Sequence, residues 1–336
     1  MLSIFDTILS MDYSKIRFLG RHILKNDLEY FAYSGSGFEF MVKPESFIYT
    51  VTISLISELR EHSSQYINIY VNDKLHSKIQ LLEGNNNITI PLNQTEGNHI
   101  KVVKLNEVYL SAVYLKEVVL NGASFVDIHS HKKKIGFFGD SLTCGYGLLG
   151  TQLEDFTMET EDFTKAYPYL TASNLGMDYV VVARSGVSIS RPIYVDKLFN
   201  EIYDTVDMFD ICDTDKDLDY AVINLGTNDN GAFNEINDEE EKKKALYKFK
   251  EDYISLILRI FKDNPSVKFL ICYKFAEVRE PVNEAIRDIY RLISENIPNK
   301  CLLVEFKPNN QGANYHPNAS AHESASKVLI NAIKSL

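Results

Sequence analysis

A serine follows a short apolar stretch at a point where a tight turn is expected. Residues 134–143 have the sequence KIGFFGDSLT, a buried strand that stops at Gly139-Asp140-Ser141. In open α/β folds such a turn lies at the carboxyl edge of a parallel sheet, where ligands bind. The N-terminus of a following helix favours developing negative charge at the same place. Ser141 is therefore a candidate nucleophile.

A serine nucleophile needs a neighbouring base, and histidine is the usual one. Beyond residue 132 the sequence contains two histidines, His316 and His322. His316 lies in a loop between the last predicted strand and the last helix, at the same sheet edge as Ser141. Pro317 favours an extended backbone at His316, which suits a projecting imidazole. His322 falls inside the helix, so it is the alternative base.

A tetrahedral intermediate also needs hydrogen-bond donors for its oxyanion. The second predicted strand ends near Gly186, which offers an unobstructed N–H, and the third is followed by Asn228, which offers a side-chain amide. The N–H of Ser141 is a further donor. Because all these segments end at one edge of the predicted sheet, together with His316 they indicate an acyl-transfer site.

Two patterns of hydrophobic residues divide the chain of 336 residues, whose length suggests two domains. Over residues 1–130, short stretches rich in β-branched and aromatic residues alternate with turn signals. This pattern predicts an all-β sandwich of the jelly-roll type. Its predicted strands cover residues 30–42, 47–56, 66–71, 87–91, 100–105 and 109–120.

Over residues 131–336, apolar strands alternate with amphipathic helices, which predicts a flavodoxin-like α/β domain with a parallel sheet and helices on both faces. The predicted strands cover residues 135–138, 179–183, 220–225, 269–273 and 302–306. The predicted helices cover residues 161–175, 239–262 and 281–297, and a last helix starts at about Ser320. Ser320 and Glu323 have the spacing of a capping box at that start.

Composition argues against several classes of protein. A hydrophobic content of 45% with 24% charged residues is typical of a globular protein. The net charge of -11 argues against a nucleic-acid or anionic-membrane surface, and no apolar stretch approaches the ~20 residues of a membrane helix. The first twelve residues lack a basic region, so we expect a cytoplasmic protein. The four cysteines lack disulfide or ligand spacing, and we expect no metal and no other cofactor.

Four motifs together resemble, in order and spacing, the sequence blocks of the SGNH or GDSL-type hydrolases. They are Gly139-Asp140-Ser141-Leu142-Thr143, Gly186, Gly226-Thr227-Asn228-Asp229 and His316-Pro317-Asn318. The resemblance covers about residues 132–336. It implies that Ser141 is the nucleophile, that Gly186 and Asn228 are oxyanion donors and that His316 is the base.

The β-rich half narrows the resemblance to carbohydrate esterase family two, whose members join a jelly roll to an SGNH domain. Similar motifs here are Ile16-Arg17-Phe18-Leu19-Gly20-Arg21, Tyr70-Val71-Asn72-Asp73 and Thr143-Cys144-Gly145-Tyr146-Gly147. The resemblance implies removal of O-acetyl groups from sugars such as those of xylan or glucomannan. The alternatives are a lipase or thioesterase for longer acyl chains and a carbohydrate-binding protein without catalysis. Because the chain has no Trp, Tyr146 or another of the 20 tyrosines would line the sugar cleft.

The sequence departs from the family pattern beside the histidine. Family members carry Asp two or three residues before it, and here those positions hold Asn314 and Ala313. We therefore predict a Ser–His dyad in which the side chain of Asn314, or a backbone carbonyl, orients His316. Such a dyad is expected to be slower than a full triad.

Overall fold

The computed structural model describes residues 13–60, 63–93, 97–128, 132–213, 215–276, 280–297 and 300–336. Within these ranges, the N-terminal half forms two antiparallel sheets. The strands are β1 Arg17–Leu19, β2 Ile23–Lys25, β3 Leu28–Phe31, β4 Gly37–Pro44, β5 Tyr49–Leu59, β6 Gln65–Val71, β7 Lys74–Leu81, β8 Gly84–Leu92, β9 Asn98–Lys104, β10 Ser111–Asn121 and β11 Ala123–Val126. One sheet has the order β1-β4-β9-β6-β7, with β11 beside β4, and the other has the order β2-β3-β10-β5-β8.

Alternating burial along the strands builds the core between these two sheets. Along β5, Val51, Ile53 and Leu55 are buried, and they pack with Phe38 and Phe40 of β4 from the facing sheet. Each such side chain removed from water contributes about 1.5–3 kcal/mol to folding. The β-sandwich predicted from the sequence is therefore confirmed.

The sandwich differs from the prediction in several details, and the short strands β1, β2 and β11 were not predicted. The single strand predicted over residues 30–42 is wrong, since β3 and β4 are separated by a turn in which Gly35 has a φ of +79°. That left-handed conformation interrupts a strand and suits glycine. Strand β7 is also missing from the prediction: Leu75, Ile79 and Leu81 alternate with polar residues, but of the strand's residues only Leu81 is buried.

The C-terminal half contains the predicted parallel sheet. Its strands are β12 Lys134–Gly139, β13 Asp178–Ala183, β14 Tyr220–Asn224, β15 Lys268–Tyr273 and β16 Cys301–Glu305. The order β13-β12-β14-β15-β16 is the flavodoxin-like order, which confirms the predicted class. The helices are α1 Ser141–Cys144, α2 Tyr167–Leu175, α3 Phe199–Ile202, α4 Thr227–Asn234, α5 Glu239–Asp263, α6 Val282–Asn296 and α7 Ala319–Ser335.

The starts of two helices differ from the prediction. Helix α2 begins at Tyr167, six residues after the predicted start at Glu161, whose side chain is fully buried. Helix α7 begins after Asn318, whose side chain accepts a hydrogen bond from the N–H of Ala321 at 3.1 Å. The capping box predicted at Ser320 is therefore wrong, because Asn318 takes the N-cap position two residues earlier.

The two halves share a hydrophobic core. Tyr30 and Tyr33 of the sandwich pack in one cluster with Val180 and Val182 of β13. The Tyr30 hydroxyl also donates to the carboxylate of Asp207 at 2.5 Å. The boundary predicted between residues 130 and 131 falls among residues 129–131, outside the described residues, as does the N-terminal stretch 1–12, and it stays a prediction. Among the described residues, no helix combines the length and apolar character needed to cross a bilayer.

Candidate active site

Ser141 lies at the carboxyl end of β12, the strand between β13 and β14 in the sheet order. It is the first residue of α1, and Asp140 caps that helix by accepting the N–H of Leu142 at 3.0 Å. Asp140 is fully buried, and this burial raises the pKa of its carboxyl to about 7. The capped turn holds Ser141 at the sheet edge with only 5% of its surface exposed.

His316 reaches Ser141 from a loop 175 residues further along the chain. Its Nε2 lies 3.0 Å from the Ser141 hydroxyl oxygen. Backbone hydrogen bonds shape the loop: the N–H of Gly312 donates to the carbonyl of His316 at 2.7 Å, and that of Ala313 donates to the carbonyl of Gly147 at 2.8 Å. The loop is thereby tied to the segment that follows α1, so the base and the hydroxyl are held by neighbouring elements.

The second ring nitrogen of His316 settles its tautomer. Nδ1 lies 3.0 Å from the backbone carbonyl of Asn314, and a carbonyl can only accept a hydrogen bond. Nδ1 therefore carries the hydrogen, and Nε2 is free to accept the proton of the Ser141 hydroxyl. Burial of the ring lowers the pKa of His316, so the neutral form that a general base requires is favoured at neutral pH.

The sequence leaves open whether the side chain of Asn314 or a backbone carbonyl orients His316. The backbone conformation at Asn314 decides between them. Asn314 and Tyr315 both have left-handed backbones, with φ of +49° and +59°. The carboxamide of Asn314 lies close to the Tyr146 hydroxyl, while its backbone carbonyl faces the His316 ring. The structure therefore places the carbonyl, and not the side chain, on the imidazole.

We expect Asn314→Asp to leave kcat within about threefold of the wild type, because the new carboxylate would replace a group that does not contact the ring. Asp also tolerates the left-handed backbone at this position. The measurement is kcat with p-nitrophenyl acetate. Asn310→Asp, which adds the same charge to the same loop, is the control. A rise of tenfold or more confined to Asn314→Asp would show that this side chain can reach the imidazole.

Gly186 and Asn228 lie beside the serine and the histidine. Both residues, with Ser141 and His316, line one cavity of about 540 Å³. Gly186 has a φ of +80°, and within the part of the chain that the structure describes no group accepts its N–H. Asn228 donates from Nδ2 to the carbonyl of Val187 at 2.8 Å, which ties α4 to the loop carrying Gly186. The structure thus brings all four of these predicted residues to one place.

Asp229 also binds the loop that carries Gly186. Its carboxylate is fully buried and accepts the N–H of Ile189 at 3.0 Å and the N–H of Ser190 at 2.9 Å. Burial raises the pKa of this carboxyl. Asp229 belongs to the third sequence motif. The motif alone does not show that this side chain binds a loop 40 residues earlier in the chain.

Tyrosines form much of the remaining cavity wall. The ring of Tyr146 stacks on Phe156 with centroids 3.9 Å apart, and it packs at a tilt against His316 with centroids 4.3 Å apart. Tyr109, Tyr194, Tyr315 and Arg184 also line the cavity. The structure therefore places Tyr146, predicted to line the cleft, directly beside the imidazole.

His322, the alternative base, lies away from the cavity. Its ring is buried between Tyr167 and Phe275, and Nδ1 accepts the N–H of Tyr167 at 3.2 Å. Burial lowers the pKa of His322 to about 3. A neutral imidazole that accepts a backbone hydrogen bond inside the core packs and holds α2, and it does not reach the hydroxyl of Ser141.

Among the described residues, one group of side chains has the composition of a metal site. It consists of Glu107, Cys144 and Glu161, all buried, with potential ligand atoms within 4.8 Å of one another. Glu107 already accepts hydrogen bonds from Ser185, and burial raises the pKa of both carboxyls. Lys104 is buried beside Glu161, and this burial lowers the pKa of its amine to about 7. Hydrogen bonds among buried groups therefore hold the cluster together: the N–H of Glu107 donates to Glu161, and Cys144 donates to Glu107.

The sheet, the serine and the histidine all fall within a single family match. A model of the GDSL-like Lipase/Acylhydrolase family matches residues 135–329, more than half of the chain. The chain belongs to this family.

One curated relative covers part of the chain. The cellulase/esterase CelE of Acetivibrio thermocellus is 27% identical over 222 residues, which are 60% of this chain and 25% of that protein. The chain thus spans about a quarter of the length of that relative.

Solved structures share the fold over nearly the whole chain. A family two carbohydrate esterase from Clostridium thermocellum, in complex with cellohexaose, has a TM-score of 0.83 at 20% identity and covers 95% of this chain and 98% of its own. The acetyl xylan esterase Est2A from the rumen bacterium Butyrivibrio proteoclasticus also has a TM-score of 0.83, at 18% identity, and covers 97% of this chain and 96% of its own. At these identities the likeness establishes the fold.

Proposed function

We propose that this protein is a serine esterase that removes acetyl groups from O-acetylated carbohydrates. The observation that carries the proposal is the 3.0 Å contact between the Ser141 hydroxyl and Nε2 of His316, in a cavity that Gly186 and Asn228 also line. A hydroxyl, a base and amide donors around one cavity are the parts that acyl transfer needs. Membership of the acylhydrolase family supports ester hydrolysis at this site.

In the first half of the proposed reaction, the Ser141 oxygen attacks the ester carbonyl carbon while Nε2 of His316 takes the hydroxyl proton. The carbonyl oxygen becomes an oxyanion, which the N–H groups of Ser141 and Gly186 and the amide of Asn228 stabilise. In the free protein Nδ2 of Asn228 lies 3.4 Å from a carboxylate oxygen of Asp140, a long contact that an oxyanion can replace. The intermediate then collapses, the bond to the sugar oxygen breaks, and His316 returns its proton to that oxygen.

In the second half, water hydrolyses the acyl-enzyme. His316 accepts a proton from the water, whose oxygen attacks the acyl carbon, and the Ser141 oxygen leaves and recovers the proton from Nε2. The products are acetate and a free enzyme. Besides the ester and water, these steps use the side chains and backbone donors already described around the cavity.

A carbohydrate substrate is supported by the fold and by the cavity wall. The structures with the same fold include carbohydrate esterases, one of them with bound cellohexaose and another described as an acetyl xylan esterase. Tyr109, Tyr146 and Tyr194 offer aromatic faces, on which the apolar faces of sugar rings pack, together with hydroxyls for their polar edges. We therefore propose acetylated xylo-, gluco- or manno-oligosaccharides as the substrates.

The test is acetate release from a panel of acetylated xylo-, gluco- and manno-oligosaccharides, combined with kcat/KM for p-nitrophenyl esters of increasing chain length. We expect release from at least one oligosaccharide, and a kcat/KM for the acetate ester about tenfold or more above that for the octanoate, because a site shaped for acetyl rejects added methylenes. Ser141→Ala, which lacks the nucleophile, is the control for background hydrolysis.

Two outcomes would contradict this proposal in different ways. A preference for the longer esters would favour a lipase or thioesterase. Failure to hydrolyse any ester, with retained binding of oligosaccharides, would favour a carbohydrate-binding protein without catalysis.

A further inference from the structure

A glutamate of the β-rich half reaches the loop that carries Gly186. Glu107 lies between β9 and β10 and is fully buried. Its carboxylate accepts the backbone N–H of Ser185 at 2.6 Å, and its second oxygen accepts the Ser185 hydroxyl. Both oxygens of one side chain thus hold a single residue that lies 78 positions further along the chain.

Ser185 is the residue directly before Gly186, so the two residues share one peptide unit. The N–H of that unit is the Gly186 donor, and its carbonyl oxygen accepts a hydrogen bond from Nη1 of Arg184 at 3.1 Å. Glu107 fixes the backbone on the N-terminal side of the unit, while Arg184 fixes its carbonyl. A peptide unit is planar, so these contacts also set the direction of the Gly186 N–H.

The same carboxylate also contacts the helix of the nucleophile. The Sγ of Cys144, the last residue of α1, donates to Glu107 at 3.6 Å, and Ser141 is the first residue of that helix. Two hydrogen bonds hold the backbone of Glu107 itself. Its N–H donates to the Glu161 carboxyl at 3.2 Å, and its carbonyl accepts a hydrogen bond from Lys104, also at 3.2 Å. One buried carboxylate therefore joins the two elements whose N–H groups face the oxyanion.

We propose that Glu107 is a positioning residue for the oxyanion hole, so that the β-sandwich contributes to the hydrolytic machinery. The inference rests on the proposed function, in which Gly186 is an oxyanion donor. Glu107 is not among the residues that line the cavity, so it does not touch substrate. Its loss should therefore lower kcat, which depends on the oxyanion, and change KM little.

Three substitutions at Glu107 distinguish the length of the side chain from its carboxyl group. In Glu107→Gln the carboxamide oxygen can still accept the N–H of Ser185, and its NH₂ group can donate to the Ser185 hydroxyl. Glu107→Asp keeps the carboxyl group but is one methylene shorter, so it cannot reach both atoms. Glu107→Ala keeps neither property.

We expect Glu107→Ala and Glu107→Asp to lower kcat about 10²–10³-fold, the cost of one misplaced oxyanion donor, with KM within about threefold of the wild type. Glu107→Gln should stay within about tenfold in kcat, because a neutral acceptor retains the contact to the Ser185 N–H. The measurements are kcat and KM with p-nitrophenyl acetate and the melting temperature of each variant.

Tyr30→Phe is the matched control for loss of a buried hydrogen bond between the two halves. It removes the 2.5 Å contact from Tyr30 to Asp207, which lies outside the loop that carries Gly186. We expect it to lower the melting temperature while leaving kcat at the wild-type value. If the Ala variant fails to fold, the comparison of Glu107→Gln with Glu107→Asp still decides the question.

The outcomes separate failure of the inference from failure of the proposed function. With an active wild type and an inactive Ser141→Ala, wild-type kcat in Glu107→Asp, or a loss in Glu107→Gln as large as in Glu107→Ala, would overturn the positioning role alone. A loss of kcat in Tyr30→Phe equal to that in Glu107→Asp would also overturn it, since any disturbance of the interface would then suffice. A wild type without esterase activity, or full activity in Ser141→Ala, would overturn the proposed function and this role with it.

Discussion

Ser141→Ala is expected to lower kcat for p-nitrophenyl acetate about 10⁴–10⁶-fold, the scale seen when a serine hydrolase loses its nucleophile. The variant keeps His316 and the donors at Gly186 and Asn228, so a small residual rate above that of water should remain. Its KM should change little, because a single hydroxyl is removed from a cavity of about 540 Å³. The fold should be unaffected, since the helix cap is made by Asp140.

Two measurements make this expectation specific. A pre-steady-state experiment with excess substrate should show a burst of p-nitrophenol from the wild type, as the acyl-enzyme forms, and no burst from Ser141→Ala. Ser324→Ala, which removes an exposed hydroxyl on α7 that bonds only to its own helix, is the matched control and should keep wild-type kcat. A kcat for Ser141→Ala within tenfold of the wild type would exclude Ser141 as the nucleophile.

His316→Ala is expected to have an effect of similar size, a loss of about 10⁴–10⁶-fold in kcat, because the Ser141 hydroxyl would have no base within reach. The double variant Ser141→Ala/His316→Ala should be about as slow as either single variant. The two groups act as one unit, so their losses do not add. A double variant slower than both by the product of the two losses would show that they act independently.

The pH profile provides a separate test of His316. Its neutral form is the base, and burial lowers its pKa below the ordinary value of 6.5. The kcat/KM of the wild type should therefore rise with pH through a midpoint below 6.5 and be level at neutral pH, and His316→Ala should lack this step. His76→Ala, at an exposed position on β7, is the control and should keep the step. A midpoint well above 7 would mean that another group titrates.

Much of the C-terminal half could be predicted from the sequence. The five strands of its sheet agree with the predicted ranges within one residue at each end, because strands covered on both faces are continuous apolar runs bounded by turns. The sandwich is less accurate, since edge strands such as β7 keep most side chains in water and carry no such pattern. The N-cap of α7 was predicted wrongly, because Asn318 and Ser320 are both good N-caps and only the path of the chain selects between them.

The residues of the site also divide into those that the sequence could predict and those that it could not. Ser141, Gly186, Asn228 and His316 each follow a predicted strand, and the structure places all four on one cavity, although their roles stay a proposal. The orienting carbonyl of Asn314 could not be selected from the sequence. It depends on two successive left-handed residues, a conformation that side-chain types favour only weakly.

In the C-terminal half, the sequence by itself determined where the strands lie along the chain, the turns that end them and the kinds of reactive group that those turns carry, because apolar runs and turn residues act over a few neighbours. The tertiary structure alone decided which carbonyl faces His316 and that a glutamate of the sandwich holds the peptide before Gly186. The second contact joins residues 78 positions apart. No local pattern encodes such a pair, since it forms only when two separately built halves bury a common surface.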